Sequence, residues 1–272
     1  MKKYLPYARL VTLGAGALGM LLLFLMRLGG TDEKGLYPAA HPAWVMLCIL
    51  SVAVMVALLL FARAAGNGRS FRGNFPPSIL AAAGYLAAGA GLLITGMDYM
   101  HNDKTIYLVC SSLGIAGGVV LFWAAWCRFR GKKCILLPHA FACFFFAMQL
   151  FALGQALGAE PELCRYLFHF LAVLSMLPAC YWLWSFDVGM GERGKCLFFC
   201  LAAAYYNLVA VAFSDTWLLH LCMAAWLLTA MPQLRYQPPQ PRPVADPPAD
   251  LPNPQQVDAM LDQILSDLDS NS

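Results

Sequence analysis

The chain alternates long apolar runs with short polar breaks, and most of the runs have the length of a membrane span. Residues 10–28, 44–62, 78–97, 106–126, 135–157 and 163–186 are apolar over 19–24 residues each. A hydrocarbon core of about 30 Å is crossed by roughly 20 residues of helix. Two shorter runs, residues 196–213 and 216–231, are parted only by Ser214 and Asp215. They predict a tight helical hairpin, with Asp215 capping its second arm. The pattern therefore predicts an all-α polytopic integral membrane bundle of eight transmembrane helices over residues 1–232.

Within the runs, small and polar positions say how the helices pack. Gly14, Gly16 and Gly19 give the first span a smooth face for close approach. The third span is rich in Ala and Gly (Gly84, Ala88, Gly89, Gly91, Gly96), which predicts burial among other helices. Pro178 falls in the middle of the sixth and predicts a kink. Gln149, Gln155, Ser175 and Asn207 are polar groups inside apolar runs, expected to face the bundle and bond between helices. The first run is long for a secretory leader and no small-residue cleavage pattern follows, so it is read as retained.

Charge then assigns sides. Arg128, Arg130, Lys132 and Lys133 fall within six residues between two apolar runs. Lysine and arginine beside short loops resist translocation, so this loop is expected in the cytoplasm. Counting outward from it with eight spans puts 14 of the 18 cations inside, leaving Arg27, Lys34, Lys104 and Arg165 outside. Seven spans would move Arg235 and Arg242 outside and break that bias. Both termini are accordingly expected in the cytoplasm. A lysine-led start and compact loops point to a bacterial plasma membrane.

After residue 232 the character changes. Residues 233–253 hold seven of the eight prolines between Pro238 and Pro254 and lack an apolar face, which predicts a disordered Pro-rich linker. Residues 254–272 follow as an acidic amphipathic helix. Val257, Met260, Leu261, Ile264, Leu265 and Leu268 fall on one stripe, with Asp258, Asp262, Asp267 and Asp269 among them. Four aspartates and no cation disfavour lying on anionic lipid. That stripe is expected to bind a cytoplasmic protein partner by the helix-in-groove mode.

Composition removes other classes. The chain is 60% hydrophobic and 12% charged, against about 25% charged for soluble domains. No basic patch with interleaved aromatics points to nucleic acid, and the lipid bilayer is the one partner the composition demands. Ten cysteines occur, most of them inside apolar runs and none in a CxxC, so they read as small hydrophobes. No phosphate-binding loop, HExxH or GxSxG is present; no catalytic residue and no cofactor is expected.

One constellation remains. Four of the five histidines, His41, His101, His169 and His220, map to the outer half, together with Asp98 and Asp215. Asp98, His101, His169, Asp215 and His220 form the candidate outer polar pocket. Imidazole with carboxylate can bind a ligand, sense pH or hold zinc; His169 and His220 are the weak metal candidates. Three functions are thereby open. The first is a non-enzymatic membrane component that recruits a partner through its tail. The second is a small-molecule permease or ligand or pH sensor with an outward pocket. The third is a metal-dependent membrane enzyme.

Overall fold

The computed structural model describes residues 7–28, 41–66, 68, 71–102, 104–134, 137–157 and 163–232. The linker 233–253 and the amphipathic segment 254–272 lie outside them. Of the described residues, 85% are helical and none is in a strand. The helices are α1 Ala8–Leu28, α2 Pro42–Ala65, α3 Phe71–Asn74, α4 Ile79–Tyr99, α5 Thr105–Phe129, α6 Leu137–Leu157, α7 Leu163–Asp187, α8 Arg193–Ala210 and α9 Trp217–Ala230. Five of them, α1, α2, α4, α5 and α7, are long and apolar enough to cross a membrane.

Packing follows the distribution of small residues. Helices α4 to α9 touch in succession, and α9 returns to α4, so their contacts close into a ring. Helix α8 also carries α1 and α2 on its outer side. Residues 200–205 of α8 are buried without a break, so every face of that helix is covered. By contrast α2 exposes Val45, Met46, Ile49, Val52 and Val56, an apolar face with no protein against it.

Glycine sets the closest approaches. A methyl group added at Gly118 would stand 2.7 Å from the carbonyl oxygen of Gly89, and one at Gly96 would stand 3.0 Å from that of Ser111. The backbones of α4 and α5 thus meet with no side chain between them. Gly16 and Gly19 bring α1 onto Leu208 and Val209 of α8, whereas Gly14 faces open space.

The helix ends sort into two groups. Arg9 at the start of α1, Arg128 at the end of α5 and Met231 just past α9 line one crevice. Arg63 near the end of α2 lines a groove with Lys195 at the start of α8. Tyr85 near the start of α4, His139 near that of α6 and Asp187 at the end of α7 line a third cavity with Arg128. The starts of α1, α4, α6 and α8 and the ends of α2, α5, α7 and α9 therefore share one end, which is rich in arginine and lysine.

Three local features differ from the sequence expectations. Arg128 and Arg193, placed by hydropathy in loops, lie in the last turn of α5 and the first of α8, and both are buried. Helix α3 is an unexpected single turn; it brings Phe71 onto the basic end, and Phe75 follows it there. Asp215 does not cap α9. Instead the Ser214 hydroxyl accepts from the Thr216 amide (3.1 Å) and pairs with its side chain (2.9 Å), and Asp215 is left exposed.

Candidate functional site

Away from the basic end, α7 and α9 bring two imidazoles together. The rings of His169 and His220 meet edge to face, with centroids 4.8 Å apart. Asn207 of α8 orients the pair. Its side-chain nitrogen donates to the Ala203 carbonyl (2.8 Å), which leaves the amide oxygen to face His220 Nδ1 at 2.8 Å. An amide oxygen only accepts, so His220 Nδ1 carries the proton and Nε2 holds a lone pair. Among the described residues neither His220 Nε2 nor His169 Nε2 has a hydrogen-bond partner, although both atoms are buried.

The other members of the expected outer pocket sit differently. Asp215 is exposed on the turn between α8 and α9, and its field reaches His169. Asp98 and His101 are exposed at the end of α4, where the His101 ring bonds the Met97 carbonyl at 3.2 Å. His41 accepts from the Ala43 amide (3.2 Å) at the start of α2. His169 and His220 are thus in contact, and Asp98 and His101 bond neither of them. Among the described residues no group of three or more His, Cys, Asp or Glu is placed to hold a metal ion. The partner-binding candidates Val257, Met260, Leu261, Ile264, Leu265 and Leu268 lie outside the described residues.

At the basic end stands a second histidine site, which hydropathy does not reveal. His139 Nε2 lies 2.8 Å from the Tyr85 hydroxyl, and His139 Nδ1 lies 3.2 Å from Asp187 Oδ2. The second contact is off-line, an electrostatic approach rather than a straight hydrogen bond. The carboxylate accepts only, so the assignment that satisfies all three groups puts the proton on Nδ1 and has Tyr85 donate to Nε2. Trp226 of α9 stacks on the imidazole at 6.1 Å. The Arg128 guanidinium lies 4.5 Å from the centre of the Phe75 ring and 5.7 Å from that of Phe71, a cation held over aromatic faces. The cavity they enclose is about 10 Å³, at the lower limit for one water molecule.

Of the four polar groups expected to bond between helices, Gln149 and Asn207 do so, whereas Ser175 and Gln155 do not. Gln149 of α6 donates to the Tyr99 hydroxyl of α4 (3.3 Å), and Ser51 of α2 pairs with Tyr205 of α8 (2.9 Å). Ser175 turns back to its own helix at Ala172 (2.8 Å), and Gln155 is exposed.

Depth counting would have found the basic-end site. Tyr85, His139 and Asp187 all fall within about two turns of the basic ends of their runs. Nothing in the spacing of any one run signals it, because each member comes from a different helix. No protein-family model, curated protein or solved structure matches the chain.

Proposed function

We propose that the chain is an eight-span membrane protein with its basic end in the cytoplasm. At the opposite, outer end, His169 and His220 sense a proton or a small hydrogen-bond donor. The alternation of helix ends supports eight passes, since consecutive helices other than the single turn α3 enter and leave the basic end in turn. The clustering of Arg9, Arg63, Arg128, Arg130, Lys132, Lys133, Arg193 and Lys195 at that end supports its orientation.

The observation that carries the sensing reading is the fixed tautomer of His220. Asn207 commits Nδ1 to donation, so Nε2 offers a buried lone pair beside a second imidazole whose own Nε2 is open. An unsatisfied buried acceptor costs about 1–3 kcal/mol, and a donor arriving there recovers it. The smallest ligand for that lone pair is a proton, which turns Nε2 into a charged donor. Zinc would gain two ligands and needs others from elsewhere, so the metal-enzyme reading has less support.

The recruitment reading joins this one as its output. It rests on sequence alone, on the apolar stripe from Val257 to Leu268 behind a Pro-rich spacer. A signal at the outer histidines would change the partner-binding state of that segment.

Two experiments test the proposal. Reporter fusions after Arg72, Lys133 and Lys195 are expected on the cytoplasmic side, and those after Lys34, Asp103 and Glu160 on the outer side. An inversion at the central basic loop sinks the orientation. Purified protein titrated from roughly pH 8 to pH 4, through and below the ordinary imidazole range, is expected to show a reversible change in tryptophan emission. His220→Phe should abolish it. Superimposable curves for the parent and His220→Phe defeat the sensing reading.

A further inference from the structure

Between α2, α7 and α8 at the basic end lies an open groove of about 720 Å³. Trp182, Phe198 and Phe199 form its apolar wall, and Arg63, Glu192 and Lys195 its polar rim. The rim is not balanced. Lys195 is held 2.9 Å from Glu192, with its ammonium 4.8 Å from the Trp182 ring. Arg63 is exposed and has no ion-pair partner among the described residues. One carboxylate therefore answers two cations, and the groove keeps one unmatched positive charge.

The approach to the groove has the dimensions of a lipid. Val52, Val56, Leu59 and Arg63 follow one another at steps of four, three and four, so they share one face of α2. The first three are exposed, and the fourth is the unmatched cation. From Val52 to Arg63 is eleven residues, about 16 Å of helix at 1.5 Å per residue. Half of a hydrocarbon core is about 15 Å. An apolar strip one leaflet long thus ends in a guanidinium beside an aromatic-walled groove. Basic pockets between helices on the cytoplasmic side suit lipid headgroups of negative charge.

We infer that this groove is a binding site for one anionic phospholipid, with its phosphate at Arg63 and Lys195 and an acyl chain along Leu59, Val56 and Val52. Charge complementarity selects the anionic headgroup, because a zwitterionic lipid brings its own cation to a rim that already has a surplus. The inference needs the chain to sit in a bilayer but is independent of the outer histidines.

The test uses full-length protein reconstituted in nanodiscs of equimolar phosphatidylglycerol and phosphatidylcholine. The protein is then extracted into mild detergent and examined by native mass spectrometry. One retained phosphatidylglycerol per chain is expected. Each rim cation near a membrane surface contributes about 1 kcal/mol, roughly a fivefold change in occupancy. Arg63→Gln should therefore lower retention about fivefold. Arg130→Gln, a cation stacked on Trp126 (4.4 Å) away from the groove, should leave it unchanged. Glu192→Gln moves the other way: it frees Lys195 and should raise retention. Equal retention of the two lipids overturns the inference, as does an equal loss in Arg63→Gln and Arg130→Gln. Displacement of the adduct by millimolar inorganic phosphate would mark a free-phosphate site instead and also overturns it.

Discussion

The two histidine sites use the same ingredients and finish them differently. At the basic end His139 has Tyr85 hydrogen-bonded to one ring nitrogen and the Asp187 carboxylate in off-line electrostatic approach to the other, and Trp226 covers its face. At the opposite end His220 has one partner, and among the described residues the second nitrogen of each imidazole is left open. A closed network in a low-dielectric setting rigidifies the helices that contribute to it. An open one keeps a penalty that a ligand can remove. The difference separates the group that holds α4, α6 and α7 together from the group that is poised to respond.

That contrast is broken most directly at Asp187. Replacing it with leucine leaves His139 without its anion and removes the negative charge nearest the buried Arg128. Leaving a buried donor without its acceptor costs about 1–3 kcal/mol, more where a charged group is involved. Asp187→Leu is expected to lower the thermal midpoint in detergent more than any change at the outer pair. A shift no larger than that of an outer-site variant would mean that the basic-end network is not structural.

The next effect lies where no polar group is involved. A leucine at Gly118 would place its Cβ 2.5 Å from Leu93 Cγ and 2.7 Å from the Gly89 carbonyl oxygen. The obstacle includes backbone, so the helices must part. Overpacking of this kind costs about 1–3 kcal/mol. Gly118→Leu should destabilise the protein by that amount while leaving the outer pair's pH response at its parental midpoint. A lost response would show that the outer site depends on the α4–α5 contact.

Much of this was legible before any coordinates. All nine elements among the described residues are helices, and the ends of α1, α2 and α4 to α7 fall within about three residues of the apolar run boundaries. The reason is physical: a helix in hydrocarbon must be apolar along its whole length, so hydropathy reports it almost directly. The Gly and Ala of α4 announced its burial for a related reason, since small residues are what close packing needs. What hydropathy cannot carry is convergence. Arg128 reads as one more loop cation, Asp187 as the first residue of a loop and Tyr85 as an apolar position. With His139 they become a site only when four helices bring them to one depth. His169 and His220 were singled out because both lie inside apolar runs on the expected outer side, whereas His139, inside residues 135–157, falls on the other. Asp98, His101 and Asp215 were grouped with them by side alone, which does not determine contact.

Asn207 is the hinge of the comparison, because it decides which His220 nitrogen is open. Asn207→Leu leaves the Nδ1 proton without its acceptor and removes the constraint on the tautomer, at a cost of about 1–3 kcal/mol. The expected result is moderate destabilisation together with a displaced or broadened pH response. Unchanged behaviour in both readouts would mean that the amide does not orient the imidazole.

The smallest expected effect on stability is the sharpest on function. His169→Phe keeps a flat ring against the edge of His220 and removes a nitrogen that has no partner. Deleting an unsatisfied buried polar atom is close to neutral and can stabilise, so the unfolding free energy should stay within about 0.5 kcal/mol of the parent or rise. If the pair works as the responsive element, the same variant should lose the acid-induced change in tryptophan emission. Stability without response is therefore the outcome that separates the outer pair from the basic-end network, where no substitution is expected to spare the fold. A His169→Phe protein that melts as early as Asp187→Leu would place both histidine sites in the scaffold and leave the sensing proposal without its carrier.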